Sequence, residues 1–264
     1  MSEMQFGKHL DELRRRALRV VVITGAVTAF LLAFHAEPAE LWGATVYYPV
    51  PDPLHNMAAQ ITDHMRAALV PEGVELIQTT PGQAFFAQVY IAALVGVTVS
   101  TPVAVRELAA FLRPALRESE IHVGRSISAP AVGLFAAGCA FSYIVVIPYI
   151  LDFLYKIGES AGITTFLNVM DFVSFVLQFL LAFGISFQLP LVMFAVTASG
   201  MVDGRFWRRN IRYALLGIVI FGAAITPDGS GVTMWFVAGP MIGLYFAGMF
   251  FAERRERKEK SAGA

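Results

Sequence analysis

Six long stretches nearly empty of Lys, Arg, Asp and Glu set the limits on what this chain can become. They cover residues 17–34, 84–105, 129–151, 172–199, 213–225 and 232–252, with Arg19 the one charge, near the start of the first. A bilayer core is about 30 Å thick, so a spanning helix needs roughly 20 mostly apolar residues. Each stretch is apolar around its whole circumference, as a helix facing lipid or a packed bundle must be. The reading is an all-α integral membrane protein, one domain over residues 1–264 with six transmembrane helices. Composition agrees: 56% of residues are hydrophobic and 15% charged, against about 25% charged in an ordinary soluble domain. A disordered chain and a basic nucleic-acid binder are excluded, and a soluble enzyme is disfavoured.

Two stretches depart from ideal length. The fifth has 13 residues, about 20 Å of helix. Either its ends reach further, from Ile211, or it is a short span that thins the bilayer around it. The fourth has 28 residues and contains Pro190. Proline removes one backbone hydrogen bond, so a long, tilted, bent helix is expected.

Charge sets the orientation. With six spans, one face carries 18 of the 20 Lys and Arg, and acids divide ten and ten, so the faces differ as +8 against −8 although the chain sums to zero. Basic residues collect on the cytoplasmic side. Both termini are therefore expected in the cytoplasm of an inner, multi-pass membrane protein, with a basic tail over residues 253–264. Arg14-Arg15-Arg16 ahead of an apolar run imitates a secretion signal. No A-x-A pattern follows Phe34 and five more spans come after it, so the segment is expected to stay.

Residues 35–83 form the only long external loop. Leu54, Met57, Ala58, Ile61, Met65 and Leu69 recur at helical spacing, which predicts an amphipathic helix lying on or capping the bundle. His55 and His64 lack the i,i+4 spacing of a metal pair. The single cysteine, Cys139, allows neither an intrachain disulfide nor a thiolate cluster. No metal or cofactor is expected, and no nucleophile elbow, zinc-protease or nucleotide-loop motif appears. A proton-coupled carrier would hold acids in mid-span. Here the strongly polar side chains at that depth are Gln178 and Gln188.

Four short motifs add a resemblance. Residues 9–16 read His-Leu-Asp-Glu-Leu-Arg-Arg-Arg, residues 110–120 Ala-Phe-Leu-Arg-Pro-Ala-Leu-Arg-Glu-Ser-Glu, residues 183–190 Phe-Gly-Ile-Ser-Phe-Gln-Leu-Pro, and residues 225–228 Ile-Thr-Pro-Asp. In this order and on these faces, the chain resembles the TatC family, the multispanning receptor subunits of twin-arginine protein translocases. The resemblance runs along nearly the whole chain. It implies recognition of Arg-Arg signal peptides on folded cargo and single-span partners of the TatA/TatB type. It also implies transport driven by the protonmotive force, without enzymatic turnover or nucleic acid. Membrane lipid and self-association complete the partner set.

The resemblance assigns Glu12, Phe111 and Glu120 to the signal peptide. Leu10, Leu13, Arg14 and Pro114 support that motif, and Pro227 and Asp228 match the outer loop. The chemistry is consistent, because paired guanidinium groups are recognised by carboxylates. Read without the resemblance, Glu12 is a local i,i+4 partner for Arg16 and Glu120 a charge at a helix N-terminus. Arg14, Arg15 and Arg16 read first as orientation determinants.

The chain also departs from the family. Gln188 stands where an acid is common, Phe246 follows Leu244-Tyr245 where an acid is common, and Gln83 replaces an acid before the second span. Gln188 is expected to bond a polar group on a partner helix or one within its own subunit. A small-solute secondary transporter and a non-catalytic scaffold for single-span proteins are the competing readings.

Overall fold

The computed structural model describes residues 3–41, 44–71, 73–112, 121–198, 200–226 and 231–262. Among these, helix dominates. Helix α1 spans Glu3–Ala33, α2 Met57–Leu69 and α3 Gln83–Leu112. Helix α4, Ile121–Phe141, runs through a π-helical turn at Ser142–Val146 into α5, Ile147–Ser160. Then follow α6 (Val169–Ser186), α7 (Leu189–Ala198), α8 (Gly204–Arg209), α9 (Ile211–Ile225) and α10 (Gly231–Ala262). Five stretches are long and apolar enough to cross a membrane: Asp11–Ala33, Gln83–Ala104, Pro130–Ser160, Val169–Ala198 and Gly231–Glu256. The sixth, α9, has 15 residues and begins at Ile211. It gains two residues over the charge-free stretch and stays short of the bilayer core.

Three helices run well beyond their apolar stretches. Helix α1 takes in the whole motif around Glu12, α3 continues to Leu112, and α10 carries the basic tail as far as Ala262. Glu12 and Phe111, both outside the charge-free stretches, therefore lie on helices. Glu, Leu, Arg and Lys are good helix formers, so a charge ends the lipid-compatible span without ending the helix.

The chain forms two units. The first comprises Met1–Ala17, Thr101–Val146 and Phe179–Ala264, the second Leu18–Ser100 and Ile147–Gln178. In the first unit, α10 packs along α7, α9 and α8, and α4 meets α7. Here α4 also meets α6 with almost no spacing. A Cβ on Gly138 would lie 2.5 Å from the Phe183 carbonyl oxygen, and one on Gly184 2.8 Å from the Phe135 ring. Cys139 lies in this seam, its Sγ donating to the Leu180 carbonyl at 3.5 Å. Small residues let backbones approach where lipid supplies no hydrophobic drive between helices. Short polar clasps fasten α8. Trp207 Nε1 donates to Thr197 Oγ1 (2.9 Å), Tyr245 Oη to the Trp207 carbonyl (2.7 Å), and the Gly204 N–H to Glu256 Oε2 (2.7 Å).

In the second unit, α1 and α3 are joined by hydroxyls. Thr24 Oγ1 and Ser100 Oγ lie 2.8 Å apart, and Thr28 Oγ1 donates to the Ala92 carbonyl on α3 at 3.4 Å. Helix α2 is the amphipathic helix read from the loop, with Ala58, Met65 and Leu69 buried. Asn56 caps it, accepting from the Ala59 N–H at 2.9 Å and donating to Gln88 Oε1 on α3 at 2.9 Å.

This unit also holds strands, which the all-helical reading did not include. Strands β1 (Phe34–Leu41) and β2 (Ala44–Pro51) form an antiparallel ribbon, while β3 (Glu75–Ile77) pairs in parallel with β4 (Phe166–Asn168). An isolated two-stranded ribbon is marginal in water. Gln60 of α2 supports this one, accepting from the Ala36 N–H and donating to the Ala36 carbonyl, both at 3.1 Å. The run Thr45-Val46-Tyr47-Tyr48 is β-branched and aromatic, a strand signal that the prolines around it obscure.

Candidate functional site

The first and third helices bring three charged side chains together. Glu12 and Arg16 lie one turn apart on α1, hence on one face. Arg16 donates from Nε (3.1 Å) and Nη2 (2.5 Å) to a single oxygen of Glu12, Oε1. Its remaining arm, Nη1, donates to Glu107 Oε2 on α3 at 2.9 Å. One guanidinium thus bridges two carboxylates 95 positions apart in sequence numbering.

The two carboxylates differ in access. The Glu12 side chain is 41% exposed and that of Glu107 only 7%. Arg106 adds a second cation near Glu107, with Nη2 3.9 Å from Oε1. A buried carboxylate is tolerated only with a partner, and removing that partner is costly. Glu107 therefore holds Arg16 firmly, while Glu12 stands at the accessible end of the network.

The three consecutive arginines are not equivalent. Arg14 and Arg15 are exposed, whereas Arg16 turns inward. Arg16 is thus more than the orientation determinant that its place in a basic run suggested. Leu13 is exposed at 42%, so its side chain is accessible. Leu10 lies on α1 and Phe111 in the last turn of α3, their side chains outside the described set. Pro114, Glu120, Pro227 and Asp228 lie outside the described residues. Glu107 was missed from the sequence. The available signal was an acid standing beside Arg106 in an otherwise basic stretch.

A second polar position lies where α6 gives way to α7. Pro190 has no N–H, so the helical ladder fails there. The Gln188 N–H turns to the Ile185 carbonyl at 2.9 Å instead of continuing the α-helical pattern. That releases the Gly184 carbonyl, and the Gln188 side chain takes it, Nε2 donating at 3.4 Å. The same nitrogen donates to the Ala131 carbonyl on α4 at 3.1 Å. The expected bent helix is therefore two helices, with a side-chain amide mending the break. Of the two expectations for Gln188, its nitrogen follows the one within its own subunit.

This is the architecture of a multi-pass membrane protein with a charged cluster near one end of its first helix. Comparison with known proteins identifies the family. The TatC family, described as Sec-independent protein translocase protein (TatC), matches residues 8–240. The chain belongs to that family. It is accordingly a transport component and not an enzyme. A TatC from Azotobacter chroococcum mcd 1 is 30% identical over 264 residues, covering 100% of this chain and 94% of that protein. TatCy of Bacillus subtilis (strain 168) is 27% identical with the same coverage. The chloroplastic TATC of Pisum sativum is 27% identical over 96% of this chain, which spans 65% of that longer protein. Among solved structures, a crystal structure of the twin-arginine translocase receptor TatC superposes with a TM-score of 0.75 at 24% identity. It covers 93% of this chain and 98% of the other, a likeness of fold.

Proposed function

We propose that this chain is the signal-peptide receptor and core subunit of twin-arginine translocation, moving folded proteins across the membrane on the protonmotive force. The observation that carries the reading is the accessible carboxylate of Glu12 in a charge network on the first helix of a TatC-family chain. A guanidinium already occupies it, so the site accepts the group that a twin-arginine peptide would bring. Glu12 and Glu120 take the two arginines, Phe111 packs beside them, and Leu10, Leu13, Arg14 and Pro114 shape the surrounding surface. Pro227 and Asp228 belong to the outer loop.

The asymmetry of +8 against −8 supports both termini in the cytoplasm and residence in the inner membrane. TatA/TatB-type single-span subunits and further copies of the chain are the proposed membrane partners. Gln188 uses its nitrogen inside the subunit, so a partner helix would meet it through Oε1. If Gln188→Leu leaves partner co-purification and export unchanged, the partner role of Gln188 is wrong.

The test is binding of a labelled Arg-Arg signal peptide to the purified protein. Glu12→Gln, Glu120→Gln and a Lys-Lys peptide should each weaken binding by about tenfold or more, the scale of a charge-assisted hydrogen bond. Equal binding in all cases would return the chain to the scaffold or solute-transporter readings.

A further inference from the structure

The Glu12 carboxylate is engaged from within the chain. Two of the three arms that Arg16 uses converge on Glu12 Oε1, and the third reaches Glu107 Oε2. An incoming guanidinium that binds Glu12 through that oxygen must displace the Nε and Nη2 contacts. Ordinarily, displacing an arginine from its partner leaves a cation to be resolvated. Here Glu107 retains it. The Glu107 side chain is 7% exposed, comes from a different helix, and has Arg106 as a further cation 3.9 Å away.

We infer that Arg16 is a placeholder for a signal-peptide arginine, and that Glu107 is the parking position that lets Arg16 release Glu12. This rests on Glu12 being part of the receptor site. It extends that reading by assigning two positioning residues, Arg16 and Glu107, that set the affinity without touching the peptide. In the empty receptor Arg16 pairs with both acids. With an arginine of the peptide bound, Glu12 exchanges one guanidinium for another while Arg16 remains paired with Glu107. Net charge changes only by what the peptide brings, and no carboxylate is left buried without a cation at any stage. A lysine lacks the planar fork and substitutes poorly for Arg16 at Glu12. The exchange therefore favours arginine in the peptide.

The opposing effects of two variants separate this device from a purely structural salt bridge. Glu107→Gln removes the parking position, so Arg16 should hold Glu12 more tightly and peptide affinity should fall. Arg16→Gln alone leaves Glu107 buried without its main cation and can unfold the chain. The paired variant Arg16→Gln/Glu107→Gln removes one charge of each sign and leaves a polar amide at both positions, while removing Arg16 as a competitor.

The experiment measures equilibrium binding of a labelled Arg-Arg signal peptide to the full chain in detergent. Wild type, Glu12→Gln, Glu107→Gln and the paired variant are compared, with thermal unfolding checked in each. The paired variant should bind about three- to fivefold more tightly than wild type, the scale of one released partly exposed ion pair. Glu107→Gln should bind more weakly than wild type by a similar factor. If the paired variant binds no better than wild type while Glu12→Gln still loses binding, the exchange is wrong and the receptor reading stands. If Glu12→Gln binds as wild type does, the receptor reading fails and the exchange fails with it. If the paired variant does not fold, the readout passes to Arg16→Lys/Glu107→Gln. That variant keeps the cation but lacks the fork, and should also bind more tightly than Glu107→Gln; equal binding would overturn the exchange.

Discussion

The charged cluster of Glu12, Arg16 and Glu107 and the amide at Gln188 solve opposite problems. Both join separate helices through one nitrogen-bearing side chain. At Arg16 the partners are carboxylates, one of them 41% exposed. At Gln188 the partners are backbone carbonyls of Ala131 and Gly184, fixed by the fold. Charge–charge contacts near water can be exchanged for an equivalent group at small net cost. Amide contacts to buried carbonyls have no competing ligand and stay in place. The first arrangement suits recognition, the second repair of a proline-broken helix. An acid at position 188 would place a charge against two carbonyl oxygens, where it could bond only by keeping its proton.

The comparison can be broken in several places, and the largest effect should come at Arg16. Arg16→Ala takes from the buried Glu107 carboxylate the cation 2.9 Å away, and should lower stability more than any other change named below. Thermal unfolding in detergent would check it, and an unchanged midpoint would show that Glu107 is held otherwise. Next comes the seam of α4 and α6. Gly138→Val should cost at least about 1–3 kcal/mol through overpacking, because its Cβ would fall on the Phe183 carbonyl. Gln188→Leu should cost about 1–2 kcal/mol, the worth of two ordinary hydrogen bonds. Gln188→Glu should be destabilising, because an ionised carboxyl has no proton to donate to either carbonyl.

Smaller still is the stability effect of Glu12→Gln, a few tenths of a kcal/mol for an exposed i,i+4 pair. The contrast with Arg16→Ala is the sharp form of the claim that Glu12 is exchangeable and Glu107 is not. The smallest effect lies in the loop ahead of α2. The backbone N–H of His55 and its ring hold the Asp52 carboxyl below the usual carboxylate range. A depressed carboxyl contributes stability above its unfolded pKa and loses it as pH falls through the folded value. Protection of the α2 amides from exchange should therefore decline only in strong acid, and Asp52→Asn should abolish that dependence.

The apolar stretches were legible because lipid tolerates few alternatives, and five of them reappear as long spans with α9 as the short sixth. Helix ends were less legible. A search for uncharged residues stops at Arg106, although α3 continues to Leu112 through residues that favour helix as well. The ribbon of β1 and β2 was hidden by prolines that a ribbon can accommodate. The i,i+4 pairing of Glu12 with Arg16 could be read directly from spacing. The pairing of Arg16 with Glu107 could not, since it depends on which faces of α1 and α3 meet. Gln188 was marked by its position near Pro190, but the carbonyl it repairs is visible only once the helix is seen to break.

The measurement closest to the central claim is equilibrium binding of an Arg-Arg signal peptide to the purified chain, with Glu12→Gln and a Lys-Lys peptide as the two comparisons. The account predicts a loss of about tenfold or more in both, with unfolding midpoints nearly unchanged. Undiminished binding in either comparison would contradict a carboxylate–guanidinium receptor site at Glu12.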